Sequence, residues 1–106
     1  MVQSIDKVST FKEAMASEGV VVVKFSAEWC GPCRQMAPVF QSLVDAKPSI
    51  RGYSVNVDNE DLEELCEEQG IQSLPTFKFF KNGSTVGVVL GANADKLSSA
   101  FERYAA

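Results

Sequence analysis

The chain has 106 residues, of which 45% are hydrophobic and 23% are charged. This length and composition are typical of one folded domain and exclude a disordered chain, so we expect a single domain over residues 1–106. The 10 Lys and Arg residues against 14 Asp and Glu residues give a net charge of −4, which argues against a nucleic-acid-binding protein.

The first part of the chain alternates strand and helix patterns. Val2–Ile5 is a candidate for a short first strand. Ser9 or Thr10 can cap the helix that follows, and Gly19 should end it. The segment Val20–Ser26 is β-branched and apolar at odd and even positions, apart from one lysine. Such a strand is typical of the centre of a sheet that is covered on both faces.

A longer helix and another strand are predicted next. The helix should run from about Cys33 to Ala46, and Pro38 should kink it because proline removes a backbone donor. The strand should cover Ile50–Val57. Four apolar residues are expected on the buried face of the helix: Met36, Val39, Phe40 and Leu43.

A short acidic helix is predicted over Asp61–Gln69, and Gly70 should end it. Its carboxylates are most simply the solvent-exposed face of that helix. Its apolar residues should point inward: Leu62, Leu65 and Cys66.

Two strands and a helix complete the chain. Thr76–Lys81 and Thr85–Leu90 flank Asn82-Gly83, a dipeptide that favours a tight hairpin turn. The last helix should span about 94–104 and bury Leu97, Ala100, Phe101 and Tyr104. The order of elements is therefore βαβαβα, a ββ hairpin and α. Because parallel strands need helical crossovers and hairpins give antiparallel pairs, we expect an α/β fold with a mixed sheet and helices on both faces.

The segment Cys30-Gly31-Pro32-Cys33 lies where the most apolar strand ends and a helix begins. A helix N-terminus presents unpaired N–H groups and a partial positive charge, which favour a thiolate over a thiol. Cysteine pKa values fall in such Cys-X-X-Cys settings, and the two-residue spacing lets the sulfurs form a small disulfide ring. The motif therefore predicts thiol–disulfide redox chemistry.

A zinc site is the alternative interpretation of a closely spaced cysteine pair. Tetrahedral zinc needs four ligands, and this chain offers only Cys66 besides the pair and has no histidine. A complete site of cysteines and histidines within one chain is therefore excluded, and no metal is expected. Cys66 lies on the apolar face of its helix, so we expect a buried, inert thiol.

Three parts of the chain resemble the thioredoxin family. Residues 25–33 (FSAEWCGPC) are similar to the active-site segment of that family, residues 74–77 (LPTF) and 79–83 (FFKNG) to its next motif, and residues 91–93 (GAN) to its last. The motifs occur in the family's order, and the resemblance extends over essentially the whole chain. It implies a thioredoxin fold, with a central mixed five-stranded sheet flanked by four helices.

The resemblance also implies an activity, that of a reductase of protein disulfides that works through a mixed disulfide. Cys30 would be the attacking cysteine and Cys33 the resolving one. The family is re-reduced by a flavin- and NADPH-dependent thioredoxin reductase. The implied partners are therefore that reductase and protein disulfides, and no bound cofactor is implied.

By resemblance, seven residues would line a groove for an extended substrate segment: Trp29, Gly31, Pro32, Leu74, Pro75, Gly91 and Ala92. Pro75 would be the family's cis-proline, although most X-Pro bonds are trans. A lone tryptophan is more often a core residue, but the place of Trp29 beside the motif favours a contact role. Gly91 has a simpler interpretation as the end of a strand. Asp58 lies where it would hold the Trp29 indole.

Lys24 departs from the family pattern, which has a buried aspartate that is thought to shuttle protons for the resolving cysteine. We expect Lys24 and Asp58 to tune the pKa values of the site. A charged lysine is rarely buried without a partner. Three arrangements therefore stay open: the ammonium reaches a cavity beneath the motif, it pairs with a carboxylate, or it is neutral. We favour the first.

A binding module is the alternative function. Thioredoxin-like adaptor domains occur in multidomain monothiol glutaredoxins and often lack the buried aspartate, which Lys24 fits. The intact Cys-Gly-Pro-Cys motif argues against this alternative and favours a reductase.

Location and assembly are inferred from missing signals. The longest purely apolar run, Val20–Val23, is far shorter than the ~20 residues that span a bilayer. No basic segment followed by an apolar stretch opens the chain, and no retention signal closes it. We therefore expect a cytoplasmic protein that does not bind membranes. We also expect it to be a monomer.

Overall fold

The computed structural model describes residues 1–105, within which five strands, four α-helices and one 3₁₀ turn are found. The order of elements is as predicted, with most boundaries within one or two residues of the expected ones. Of the helices in this range, none has the length and apolarity needed to cross a membrane. In chain order the elements are β1 (Val2–Ser4), α1 (Val8–Met15), β2 (Val20–Ser26), α2 (Gly31–Ala46), β3 (Ile50–Asn56), the 3₁₀ turn (Glu60–Leu62), α3 (Glu63–Glu68), β4 (Thr76–Lys81), β5 (Ser84–Leu90) and α4 (Ala94–Ala105).

The strands form one mixed sheet in the order β1-β3-β2-β4-β5. β1 and β2 each pair with β3 in parallel, whereas β4 pairs antiparallel with both β2 and β5. β2 is therefore the central strand, and its residues Val20–Val23 and Phe25 are buried. The expected α/β fold with a five-stranded mixed sheet and four helices is confirmed.

Helices cover both faces of the sheet, as predicted. On one face, α1 and α3 pack in a cluster that contains Phe11 and Val23. On the other face, α2 brings Phe40 against Phe77 of β4, and α4 brings Phe101 against Phe79 of the same strand. The Phe79 and Phe101 rings meet edge to face with their centroids 5.4 Å apart, a favourable aromatic geometry.

The first helix begins and ends earlier than predicted. Its N-cap is Lys7, and no side chain makes a capping hydrogen bond, so the predicted cap by Ser9 or Thr10 is wrong. The Lys7 carbonyl oxygen accepts from the Thr10 N–H at 3.1 Å, which places both hydroxyl residues inside the first turn. The helix ends at Met15. Gly19, at a φ of +81°, instead ends the loop before β2.

The acidic helix is divided in two, so the predicted single helix over 61–69 is wrong in this detail. Residues Glu60–Leu62 form the 3₁₀ turn, and α3 covers only Glu63–Glu68. The Asn59 side-chain oxygen accepts from the Asp61 N–H at 3.0 Å and so caps the start of the 3₁₀ turn. The three inward-pointing residues are buried as predicted: Leu62, Leu65 and Cys66.

The buried faces of α2 and α4 differ slightly from the predicted ones. In α2, Met36 and Phe40 are buried, whereas the other two predicted residues are only partly buried and Val44 is buried in their place. In α4, Leu97 and Phe101 are buried and the other two predicted residues are partly buried.

The hairpin turn between β4 and β5 is confirmed. Asn82 and Gly83 have φ values of +54° and +79°, and two positive φ values are what a tight two-residue hairpin requires. Lys81 pairs with Ser84 directly, so β5 begins one residue earlier than predicted.

Candidate active site

The two cysteines of the motif lie at the start of α2 and form a disulfide. Cys30 is the N-cap residue, and the helix begins at Gly31 rather than near Cys33 as predicted. The Cys33 N–H donates to Cys30 Sγ at 3.2 Å. The sulfur of Cys30 therefore takes the capping role that a Ser or Asp oxygen usually has. The two Cα atoms are 5.2 Å apart, within the usual range for a disulfide.

The position of the two cysteines at a helix N-terminus affects how easily their thiols ionise. α2 has 16 residues, and its aligned peptide dipoles place a partial positive charge beside Cys30. When the disulfide is reduced, a thiolate is favoured at that point. Pro32 costs the helix little, because N–H groups in the first turn have no helical acceptor. Cys30 and Cys33 are 5% and 3% exposed, so exposure does not distinguish them.

A small apolar cluster packs around the disulfide. Ala27 is buried against Cys30 and Cys33, and Val57 and Leu74 pack against the same group. The sequence indicated only Leu74. The signal for Ala27 and Val57 is topological: each directly follows one of the parallel strands β2 and β3, whose carboxyl ends meet at one edge of the sheet.

Trp29 is a surface residue, not a core residue. Its side chain is 68% exposed, and Nε1–H donates to Asp58 Oδ2 at 2.7 Å, as the resemblance implied. The Asp58 N–H in turn donates to Asn56 Oδ1 at 3.0 Å. Asn56, which the sequence analysis missed, thus orients the backbone at Asp58. The sequence signal for this contact is an Asn two residues before an Asp at the end of a strand. An Asn side-chain oxygen often accepts from the backbone N–H of the residue two positions later.

The segment that carries Pro75 lies beside the disulfide. The Leu74–Pro75 peptide bond is cis, as the resemblance implied, and Leu74 contacts the apolar cluster around the cysteines. The Pro75 carbonyl oxygen accepts from the Gly91 N–H at 2.8 Å. Gly91 has a φ of +78°, a conformation that favours glycine, and it follows the last residue of β5. Ala92, next in the chain, is exposed.

Lys24 lies close to the motif, on the α2 side of the sheet. Its Nζ is 5.7 Å from the centroid of the Phe40 ring, and its side chain shares a cavity of about 220 Å³ with Cys33, Glu28 and Arg34. Burial lowers the pKa of Lys24. Within residues 1–105, no carboxylate lies within ion-pair distance of Lys24. Of the three arrangements, pairing with a carboxylate is therefore not found in this range, and Lys24 lines a cavity beside Cys33, as the favoured arrangement requires.

Arg34 and Glu28 join the site through a contact that the sequence did not indicate. The Arg34 Nη1–H donates to the Glu28 carbonyl oxygen at 2.7 Å and so ties the first turn of α2 to the loop before the motif. The third cysteine, Cys66, lies outside the site and is free and buried, as predicted. Burial raises the pKa of Cys66. In the part of the chain that the structure describes, no cluster of His, Cys, Asp and Glu residues could hold a metal ion.

Comparison with known proteins agrees with this geometry. The Thioredoxin family model matches residues 2–103. A thioredoxin of Malassezia sympodialis is 39% identical over 107 aligned positions, which cover 99% of this chain and 100% of that protein. A thioredoxin of Mus musculus is 40% identical over 107 positions, with the same coverage. The crystal structure of the Malassezia sympodialis thioredoxin has a TM-score of 0.93 and covers 100% of this chain and 92% of that chain.

These matches agree with the fold and with the disulfide at the start of α2. No finding favours the adaptor alternative. The chain therefore belongs to the thioredoxin family and is a thiol–disulfide oxidoreductase that reduces protein disulfides.

Proposed function

We propose that Cys30 is the attacking cysteine and Cys33 the resolving cysteine of this reductase. The observation that carries the assignment is the Cys33 N–H, which donates to Cys30 Sγ at the N-terminus of α2. A Cys30 thiolate would accept the same hydrogen bond, now charge-assisted, and would be stabilised by the helix dipole. Cys33 lines the cavity that it shares with Lys24, which suits the cysteine that reacts second.

The reaction then consists of two exchanges. The Cys30 thiolate attacks one sulfur of the substrate disulfide. The bond between Cys30 and the substrate forms as the substrate S–S bond breaks, and one substrate thiolate leaves and takes up a proton. The Cys33 thiolate next attacks Cys30 Sγ, which breaks the mixed disulfide and releases the second substrate thiolate. Two electrons pass to the substrate, and the chain is left with the Cys30–Cys33 disulfide.

The substrate segment would lie in a groove beside the disulfide. The exposed Trp29 side chain supports this proposal, because a large exposed aromatic residue is a frequent anchor of protein contacts. Leu74 contributes through its contact with the cysteine cluster, and a Cβ added at Gly31 would meet no atom within 4 Å, so the surface there is open. The proposed groove consists of Trp29, Gly31, Pro32, Leu74, Pro75, Gly91 and Ala92.

Lys24 and Asp58 would tune the dithiol in opposite senses. Lys24 shares a cavity with Cys33, so its positive charge favours a thiolate there. Asp58 is held by Trp29, the residue that precedes Cys30, and its negative charge disfavours a further anion nearby.

The electrons for each turnover would come from a thioredoxin reductase, in electron transport that maintains cell redox homeostasis. The Gly-Pro pair between the cysteines supports this direction, because it resembles the reducing members of the family. The family match over residues 2–103 supports one thioredoxin domain over residues 1–106. We further propose that the domain acts as a monomer in the cytoplasm.

Insulin reduction, with NADPH and thioredoxin reductase as the electron supply, tests this function. The protein should reduce insulin with multiple turnovers, and Cys30→Ser should abolish turnover without unfolding the chain. The matched control is Cys66→Ser, which changes a cysteine outside the site and should retain the activity. Binding of substrate proteins with no turnover by the unmodified chain would contradict the proposal and support the adaptor alternative.

A further inference from the structure

Lys78 is a charged residue in the interior of the sheet. It lies in the middle of β4, opposite Val23 of β2 on one side and Val88 of β5 on the other. Its side chain is half-buried, and Nζ is 5.8 Å from the centroid of the Phe80 ring on the same face. Burial lowers the pKa of Lys78. A cation in this position needs hydrogen-bond partners to offset its loss of water.

The Lys78 ammonium finds these partners at the end of α3. Its Nζ donates to the Gln69 backbone oxygen at 3.0 Å and to Gln69 Oε1 at 2.9 Å. Gln69 is the C-cap residue of α3. Carbonyl oxygens at a helix C-terminus have no helical donor, so a cation there both satisfies the oxygen and carries the favourable charge.

The rest of this helix end is satisfied without Lys78. The N–H groups of Gly70 and Ile71 donate to carbonyl oxygens within the helix at 3.0 and 3.2 Å, and Gly70 has a φ of +68°. This is the pattern of a Schellman cap. The Gln69 carbonyl oxygen takes no part in that pattern, so Lys78 supplies its donor.

The contact fixes one end of segment 70–75, which includes Pro75. At the other end, the Thr76 Oγ1–H donates to the Ser73 carbonyl oxygen at 2.7 Å. Between these ends, the segment borders a cavity of about 200 Å³ that is also lined by Lys78 and by residues of β5. The segment is therefore not packed against the strands along its whole length. Its position depends on how its two ends are held and on two side chains within it, Ile71 against the core and Leu74 against the cysteine cluster.

We propose that Lys78 is a positioning residue for disulfide reduction: by binding Gln69 it fixes the start of segment 70–75 and thereby the Pro75 side of the substrate groove. This inference rests on the groove proposed above. Lys78 does not line the cavity that contains Cys33, so it should act on substrate docking and not on the dithiol. A protein substrate needs the groove, whereas a small disulfide needs only the dithiol.

The test compares two substrates with the Lys78→Met variant, in which an apolar chain of similar length replaces the ammonium. The KM for insulin should rise about 3- to 10-fold, and the rate constant with hydroxyethyl disulfide should stay within about twofold of the unmodified protein. Lys81→Met is the matched control, since Lys81 is an exposed lysine of the same strand, and it should change neither value. A destabilised protein with a correctly held groove would not show this difference between substrates.

An unchanged KM for insulin in Lys78→Met would overturn the inference. Amide hydrogen exchange gives a second measurement: Gly70 and Ile71 should exchange faster in this variant, and unchanged rates would count equally against it. If Lys78→Met does not fold, Lys78→Gln takes its place, because it removes the ammonium from both Gln69 oxygens, and no rise in its KM would overturn the inference as well. Failure of the unmodified chain to reduce insulin would instead contradict the proposed function, so the two failures are distinguishable.

Discussion

The Trp29 indole is held outside the protein core by a single hydrogen bond, from Nε1–H to Asp58 Oδ2 at 2.7 Å. Because Trp29 directly precedes Cys30, this bond sets the orientation of the largest exposed side chain next to the disulfide. The Asn56 side chain, which accepts from the Asp58 N–H, extends the same arrangement back to the end of β3. The aromatic surface beside the dithiol is thus supported by polar contacts.

Loss of this bond should weaken the reaction with protein substrates. We expect Asp58→Ala to lower kcat/KM for insulin about three- to tenfold, because the indole loses its acceptor and its fixed orientation. Asp58→Asn keeps a side-chain acceptor and should retain most of the activity. Asp61→Asn, which removes a nearby exposed carboxylate, is the control for charge alone. Equal kcat/KM values for Asp58→Ala and the unmodified protein would show that the orientation of Trp29 does not matter.

The order of attack can be read from trapped intermediates. Cys33→Ser should accumulate mixed disulfides through Cys30, because the second exchange has lost its nucleophile. Peptide mapping of the trapped complexes in a Cys66→Ser background identifies the bonded cysteine. Cys30→Ser should trap little or nothing. Stable complexes through Cys33 would reverse the proposed roles.

Lys24 should control the pH dependence of the resolving step. A cation near Cys33 favours its thiolate, so replacement by an anion disfavours the thiolate and moves the midpoint to higher pH. Lys24→Asp should therefore raise the pH of half-maximal resolving rate by roughly 0.5 to 1 unit, and Lys24→Met should raise it less. Stopped-flow measurement of mixed-disulfide decay gives the profile. Identical profiles for all three proteins would exclude electrical contact between Lys24 and the dithiol.

The same lysine should also affect stability. Burial lowers the pKa of Lys24, so the folded state holds its proton less strongly than the unfolded state. Between the lowered folded value and the ordinary value of 10.5, the unfolded chain binds more protons, and stability rises with pH. Lys24→Met removes the burial cost and should unfold at a higher urea concentration at pH 7. Its advantage should shrink as the pH approaches 10.5. A lower urea midpoint would show that the contact of Lys24 with Phe40 outweighs the burial cost.

Gly52 should be required for the packing of α2 on the sheet. A Cβ at this position would lie 2.5 Å from Val44 Cγ2 and 3.0 Å from Val44 Cγ1. Gly52→Ala should therefore lower the free energy of unfolding by about 1–3 kcal/mol in urea titrations. Because Val44→Ala removes the clashing methyl groups, the double variant should lose less stability than the sum of the two single effects. A double variant that loses the sum of both single effects would contradict this explanation.

The parts of the structure that the sequence predicted are those with local signals. The segment Val20–Ser26, which opens with four valines, predicted a covered strand, and Asn82-Gly83 tolerates the two positive φ values of its turn. The start of α1 was not predictable from its hydroxyl residues. Ser9 and Thr10 are both good caps in isolation, but the helix begins at Val8 and both residues lie inside its first turn.

In the candidate site, too, the features with a local sequence signal were predicted and those that depend on tertiary contacts were not. The sequence predicted the cysteine pair and the helix that follows it, because the chemistry of the pair depends on the two-residue spacing between Cys30 and Cys33. The sequence did not predict the roles of Ala27 and Val57 or the Lys78–Gln69 contact. These depend on which strand ends and helix ends meet in space. Strand alternation and the cost of burying a charge led to the prediction of a cavity at Lys24. The size of the cavity and the other charged residues that line it were not predicted.

Because Cys66 is buried, its reaction with an alkylating agent reports on local opening of the protein at α3. Its thiol packs with Leu62 and Leu65, and burial raises its pKa, so it reacts slowly with alkylating agents while the fold is intact. In the oxidised protein the other two sulfurs are already bonded to each other. The rate at which one alkyl group is incorporated per chain therefore measures how often the α3 face opens. This measurement needs no introduced label, and mass spectrometry can follow the alkylation of Cys66 in mixtures with substrate proteins.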